Sequence, residues 1–563
     1  VSQITESPLS VAPAPRSRWL LPAIVSFLLS LAILLPRVGV GPLGGTEAHR
    51  ALSGHQMLQS RDWLIPQLYG RLYMRKPPLQ YWITAALEKL YGRGDEFIWR
   101  LPSVLSAALL AAVAAWASGR WFGNLAAWVG GLSLACMVTL WAQGRTGELD
   151  SLDALLTVWA VFIMIDIAHG QGGRCRWLAT IFCGLLLGGA FLTKGPVCLI
   201  LVLGLMIWTA LTRNRPAYAA RSGTWVRWLL ALVMGLVMFG IYAAAAAMAL
   251  KSRHVPPDMT GVNEIMENAY PTSWGRFAFA LVMPLIVLVY ALPISVALPV
   301  AMIHAPRSSS ARPSRAIIYA LAMPILISFA FGMVTGMHLP RYQFIVLPLL
   351  CPLAGASAEL LWQFTSTEKW QMALTLAATA TGYSIGTVLP AVVYWKDPQQ
   401  IDHALLVGCV AAAIALGAVA VWMLIRQRWA AAAIIPILAL ILSVPFATYL
   451  AKDRRERSGF RGAALLRADL PPGTTVTVGG MLGYEPELFY YSGVAAKAYA
   501  EKIPPPDQLP GNQWLVLDEE EFRQYKQLVP KRLGRVIKFE PPAEAGAAQR
   551  QPGFIVWLLP PLR

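Results

Sequence analysis

The sequence predicts a multi-span α-helical membrane protein: about thirteen transmembrane helices, helices lying on the outer membrane face, and a small C-terminal α/β domain. Three observations carry this. The chain of 563 residues is 56% hydrophobic and only 14% charged, whereas soluble domains are roughly a quarter charged. Apolar runs close to the roughly 20 residues that a bilayer core requires recur from Trp19 to Leu450. Beyond Leu450 the pattern changes to short β-rich runs.

The expected spans are 19–36, 100–118, 123–141, 150–168, 176–192, 196–212, 227–250, 276–303, 314–334, 341–362, 370–393, 402–425 and 429–450. Arg16 and Arg18 precede the first. Its apolar part is long for a signal peptide and no A-x-A site follows, so a retained first helix is expected. Arg120, Arg174, Arg176, Arg213, Arg215, Arg221, Arg227, Arg307, Arg312, Arg315, Arg426 and Arg428 fall in alternate connections together with the N-terminus. The positive-inside rule makes those connections cytoplasmic. Residues 37–99, 142–149, 193–195, 251–275, 335–340, 394–401 and the tail then face outward, which is the periplasm if the membrane is a bacterial inner membrane.

The net charge of +17 is spread over these connections rather than gathered in a soluble basic stripe. That distribution fits topology signals and membrane-lipid partners, not nucleic acid. The six cysteines, Cys136, Cys175, Cys183, Cys198, Cys351 and Cys409, lie in or beside apolar runs without C-x-x-C spacing, so buried inert thiols are expected.

Two domains follow: a transmembrane domain over 1–450, including the outer loop 37–99, and an outer α/β domain over 451–563. In the tail, "GTTVTVGG", "QWLVLDEEE", "GRVIKFE" and "GFIVWLL" read as strands, and 519–529 as a helix. In the loop 37–99, "TEAHRALSGHQMLQS" has helical spacing and "PPLQYWITAALEKLYG" is amphipathic with proline at its opening turn. Two helices along the membrane surface are expected there.

Polar residues that are costly at a membrane face mark candidate chemistry. Glu47 in "GGTEAHR" follows the first span, where a helix-start acid with Thr46 as cap is the bland alternative. In "GELDSLDALLTVW", Glu148 and Asp150 stand at the outer mouth of the fourth span and Asp153 enters it. The outward cations are Arg75 and Lys76 in "YMRKPPLQYW", Lys194 in "FLTKGP" and Arg341 in "HLPRYQF". Any one of them alone would be read as a snorkelling residue, but several on the disfavoured side point to a fixed anion such as a phosphate. Tyr73, Tyr81 and Trp82 suit headgroup depth. His49, His254 and His338 are the residues for an optional divalent metal assembled from different loops; no cofactor is required. No P-loop and no G-x-G-x-x-G stands in a βαβ setting, so nucleotide-driven chemistry is unsupported.

The order of "TEAHRALSGHQMLQSRDWLIPQLYGRLYMRKPPLQYW", "RLPSVLSA", "LDALLTVW", "FLTKGP" and "LPRYQFIVLP" resembles the polyprenyl-phosphate-dependent integral membrane glycosyltransferases of GT-C type. It is most similar to the aminoarabinose (4-amino-4-deoxy-L-arabinose) lipid A transferases and the bacterial relatives of protein O-mannosyltransferases. The resemblance implies that Glu47 and Asp153 are the catalytic acids. Lys76, Arg341, Tyr342, Lys194 and Arg75 would bind the donor phosphate. Only the second acid of the family's usual first-loop pair is present, because Thr46 precedes Glu47. The loop 251–275 departs from the family pattern around Glu264 and Arg276.

The activity implied is inverting transfer of a sugar from an undecaprenyl-phosphate-linked donor to lipid A phosphate, by a monomer in the bacterial inner membrane with its active site toward the periplasm. A protein hydroxyl is the alternative acceptor. The rival class is a lipid transporter or flippase. Transporters carry inverted repeats and broken helices at the bilayer midplane. Here no repeat is evident and the suspect residues crowd the outer face.

Overall fold

The computed structural model describes residues 19–253 except 37, 40–42, 44–45, 70, 170–175 and 217. It also describes parts of 281–302, residues 312–335 and 344–363, single positions between 411 and 426, and short segments between 466 and 559. The expected spans 370–393 and 429–450 lie outside the described residues. Among those described, five helices are long and apolar enough to cross a membrane.

Helix α1 (Leu20–Leu34) leads to the outer segment. There α2 (Thr46–Ser60) and α3 (Leu79–Tyr91) form as the sequence predicts, α3 opening after Pro78 and closing on Gly92. Between them lies a hairpin of two-residue strands, β1 (Gln67–Leu68) and β2 (Arg71–Leu72), which the sequence reading had not anticipated. The long helix α4 (Glu96–Phe122) starts at Asp95, whose carboxylate accepts the Ile98 N–H at 2.9 Å. It packs against α1, α5 (Asn124–Ala135) and α7 (Asp150–His169).

The expected single span 123–141 is instead two helices. α5 closes at Cys136, Met137 is extended, and α6 (Val138–Gly144) follows. The break is buried, with Cys136 and Met137 at 0% and 2% exposure, so its freed backbone groups need partners inside the protein. The Trp141 indole N–H supplies one by donating to the Ala135 carbonyl at 2.7 Å.

α8 (Arg176–Lys194) packs between α7 and α10 (Thr224–Ser252). It ends on Gly195, whose φ of 74° lets the chain turn into the 3₁₀ segment Pro196–Cys198 and then α9 (Leu199–Leu211). α11 (Arg312–Thr335) packs on α9, and α12 (Leu347–Gln363) on α5 and α4. One side of α10 exposes Leu229, Val233, Leu236, Val237 and Ile241, an apolar face of the kind a spanning helix turns to lipid.

In the tail, β3 (Thr475–Val478), β4 (Ala495–Ala498), β5 (Trp514–Asp518), β6 (Arg535–Lys538) and β7 (Ile555–Leu559) form one sheet of order β4-β3-β5-β7-β6. The first three are parallel and β7 is antiparallel to its neighbours. Four of these strands are the runs read from the sequence. β4, in the alanine-rich "VAAKAYA", had no such signal. The helix expected over 519–529 is described only at Phe522 and Arg523.

Candidate active site

Two buried arginines fix the entry to the site. Arg145 donates to the Leu34 carbonyl at 2.9 Å and the Pro36 carbonyl at 2.8 Å, satisfying the end of α1. Arg100, fully buried in α4, donates to the Val38 carbonyl at 2.9 Å. It also grips Glu47 at both oxygens, 2.6 Å from Nε to Oε1 and 3.1 Å from Nη2 to Oε2. Glu47 Oε1 further accepts the Gly147 N–H at 2.7 Å. Glu47 is therefore a buried clamp joining α2, α4 and the loop before α7, rather than only a dipole-complementing acid.

The same loop is held from α4 by Ser103, whose hydroxyl donates to the Glu148 carbonyl at 2.7 Å. The "RLPS" motif thus works through Arg100 and Ser103. The Thr46 hydroxyl, at the start of α2, donates to the Glu148 carboxylate.

Along that loop come the acids of α7. Lys194, at the end of α8, donates to Asp150 Oδ1 at 2.5 Å and stands 3.9 Å from Asp153 Oδ2. Asp153, 1% exposed, also lies 3.5 Å from the Thr157 hydroxyl. Lys194 is consequently a buried ion-pair partner, not a snorkelling cation. The Gly195 turn aims it back at the start of α7.

Lys76 approaches this pair from the loop before α3 and is half-buried. Its ammonium pKa falls from the ordinary value to about 8. Burial is the main cause. Arg50 and Lys194 push the same way and outweigh the pull of Asp150 and Asp153. A lysine in that condition gains most from an added anion. Pro77 and Pro78 stiffen the chain just beyond it.

Tyr73 and Tyr81 turn their hydroxyls to Arg50. Both are buried, with hydroxyls 3.3 Å and 2.8 Å from Arg50 Nη1. Arg75 lies over the Tyr73 ring, 5.9 Å from its centroid. Trp82 donates to the Trp63 carbonyl and meets Tyr242 of α10 edge-on at 5.8 Å.

Arg341, Tyr342, His254 and His338 lie outside the described residues. His49 stacks on Tyr73 with ring centroids 5.5 Å apart. Among the described residues no group of three His, Cys, Asp or Glu side chains is arranged to hold a metal ion.

Sequence reasoning missed Arg50, Arg100 and Glu88. Glu88 accepts from His55 at 2.6 Å and from the Trp99 indole at 3.0 Å. Burial alone would raise its pKa, but these two hydrogen bonds and the His55 charge hold it below the usual carboxylate range. For Arg100 the available signal was a charged residue inside an otherwise apolar helix; Arg50 and Glu88, in the polar α2 and the amphipathic α3, carried no such signal.

Residues 75–242 match the dolichyl-phosphate-mannose-protein mannosyltransferase family. That segment carries Lys76, Asp150, Asp153 and Lys194. An undecaprenyl phosphate-alpha-4-amino-4-deoxy-L-arabinose arabinosyl transferase of Pectobacterium atrosepticum is 30% identical over 195 residues, 34% of this chain and 34% of that protein. The similarly named transferase 1 of Sodalis glossinidius is 26% identical over 348 residues, 60% and 57% of the two chains. The matches thus span between about a third and three-fifths of these relatives' lengths. Two crystal structures of ArnT from Cupriavidus metallidurans align over 96% of this chain and 97% of theirs. The apo form has a TM-score of 0.68 at 22% identity, and the form bound to undecaprenyl phosphate 0.67 at 20%. The chain therefore has the ArnT membrane fold, and the likeness to polyprenyl-phosphate-dependent membrane glycosyltransferases read from its motifs is borne out by the family match on the helices that carry the site.

Proposed function

We propose that the chain transfers 4-amino-4-deoxy-L-arabinose from undecaprenyl phosphate to a phosphate of lipid A, at the periplasmic face of the inner membrane. The observation that carries this reading is the pairing of Lys194 with Asp150 and Asp153 where α8 ends and α7 begins, with Lys76 within electrostatic reach of all three, inside the family-matched segment. The likeness to the named arabinosyl transferases supplies the sugar and the carrier. The remaining spans and the outward placement of the tail sheet belong to the same proposal, as does the division at about residue 450.

In this reaction an acceptor phosphate oxygen attacks the anomeric carbon from the face opposite the donor phosphate. The bond from that carbon to the phosphate oxygen breaks, and undecaprenyl phosphate leaves as an anion with inversion at the sugar. No proton needs to be removed from an ionised phosphate. The demand on the protein is to stabilise charge on the leaving group. Lys76 takes that part, with Lys194 behind it and Arg75, Arg341 and Tyr342 completing the donor-phosphate set. Asp153, buried beside Lys194, stabilises positive charge growing on the sugar ring and orients its amino group. Glu47 has both oxygens engaged by Arg100 and Gly147, and serves the reaction by fixing the loop that presents Asp150.

The family's protein-mannosylating description supports a second reading, in which a protein hydroxyl accepts the sugar and Asp153 removes its proton. One experiment separates the two. The chain is expressed in a Gram-negative host lacking its own lipid A aminoarabinose transferase, and lipid A is analysed by mass spectrometry beside Lys76→Ala and Asp153→Asn variants at matched membrane levels. An aminoarabinose mass increment lost in both variants supports the proposal. A wild-type chain present in the membrane that leaves lipid A unmodified removes it in favour of another acceptor.

A further inference from the structure

One buried cation is left over from this scheme. Arg50 of α2 is 6% exposed, and its hydrogen-bond partners at Nη1 are the phenols of Tyr81 and Tyr73. Both are neutral partners: Tyr81 is held protonated by burial, with a pKa above its ordinary value. The Arg50 guanidinium also lies over the Tyr73 ring, 5.7 Å from its centroid, sharing that ring with Arg75.

Its Nε is buried and meets no acceptor among the described residues. Neither does the hydroxyl of Ser53, three residues along α2, nor the amide nitrogen of Gln80, the residue before Tyr81; the Gln80 amide oxygen likewise meets no donor among the described residues. Ser53 and Gln80 are 0% and 1% exposed. Buried donors without acceptors are costly, and the Arg50 guanidinium hydrogen-bonds to neutral phenols while the Glu148 carboxylate acts on it through space. A forked guanidinium on α2, with an unpaired hydroxyl on the same helix and an unpaired amide donor on α3, offers donors of the kind that suit a tetrahedral oxyanion.

The reaction proposed above brings two phosphates together, and Lys76 with Lys194 accounts for one. Arg50 lies on α2, within electrostatic reach of Lys76, and is not a member of the α7–α8 ion pair of Lys194 with Asp150. We propose that Arg50 binds the second phosphate, that of the acceptor, and so sets the preference for an anionic acceptor over a neutral hydroxyl. This rests on the aminoarabinose transfer reading.

The test uses the full chain in lipid nanodiscs, with undecaprenyl-phosphate aminoarabinose as donor and lipid A as acceptor. KM is measured for each substrate, alongside direct binding of undecaprenyl phosphate. Arg50→Gln is expected to raise the acceptor KM about tenfold or more, equivalent to ~1.4 kcal/mol. Donor KM and undecaprenyl phosphate affinity should stay within about threefold. Arg50→Lys, which keeps the charge and loses the fork, should fall between the two proteins and serves if the glutamine variant does not fold. An unchanged acceptor KM in either variant that still binds undecaprenyl phosphate overturns the proposal. So does a variant that weakens undecaprenyl phosphate while leaving the acceptor KM alone. A wild-type chain that binds undecaprenyl phosphate but never uses lipid A removes the underlying transfer reading, and this inference with it.

Discussion

Lys76 has a pH signature. Its folded pKa, lowered to about 8, means that it is charged below that value and loses its proton as pH rises through it. If it binds the donor phosphate as ammonium, kcat/KM for the donor falls above pH 8, because this parameter reports the free enzyme. Lys76→Arg should move that limb out of the accessible range, whatever its effect on the absolute rate. A profile flat to pH 10 in the wild type would show that no ammonium of lowered pKa holds the donor phosphate. Glu47 and Arg100 make a different prediction. Deleting one partner of a buried pair strands the other, at a cost of about 3–5 kcal/mol. Arg100→Met and Glu47→Met should each lower the unfolding temperature sharply in detergent. The double variant should recover most of that loss, since it leaves no orphaned charge. Additive losses would show that the clamp is not a unit.

At the scale of elements, close packing decides what the break between α5 and α6 tolerates. A Cβ at Gly131 would collide with the Ser26 hydroxyl of α1 and come within 2.6 Å of the Ala115 Cβ of α4. Gly131→Ala should therefore destabilise by about 1–3 kcal/mol, measurable as a lowered thermal midpoint and relieved in part by Ser26→Ala. α2 and α3 were legible in the sequence because their apolar spacing and the Pro78 start are local signals. The break at Met137 was not, because the 123–141 run is continuously apolar and the indole that makes the bend affordable acts across six residues. The partners of Thr46, Lys194 and Tyr81 were not legible for a related reason. Each side chain's partner lies on another element, and sequence shows a charge without its counter-charge. Asp150, Asp153 and Lys76 could be picked out because an acid entering an apolar helix, or a cation on the outward side, is unusual by itself.

The whole molecule joins its outer helices to the segment before β4 through aromatic rings. Tyr490 meets His55 and Trp99 edge-on at 6.2 Å and 5.3 Å, and Phe489 meets Tyr69 at 5.6 Å. Such pairs contribute about 0.5–1.5 kcal/mol each beyond their buried area. Tyr490→Ala should consequently raise amide exchange in β3 and β4 while α4 and α7 keep their protection. Equal loosening of both regions would show that the contact supports the whole fold. The orientation read from the arginines has its own check. A single cysteine placed in the tail, in a chain whose native cysteines are replaced, should react with a membrane-impermeant thiol reagent in cells with a permeabilised outer membrane. Labelling only after the inner membrane is opened would invert the topology.

The elbow at Cys136 and Met137 has an optical consequence. Trp141 is 2% exposed with its indole tied to the Ala135 carbonyl, and Trp228 is 1% exposed and donates to the Met164 carbonyl, whereas Trp177 and Trp225 are 53% and 40% exposed on the helix surfaces. Emission from this chain should divide into a fraction that brominated lipids extinguish and a fraction they never reach. Because the elbow is closed by its own side chain, the shielded fraction should keep its wavelength and lifetime whether or not undecaprenyl phosphate is added.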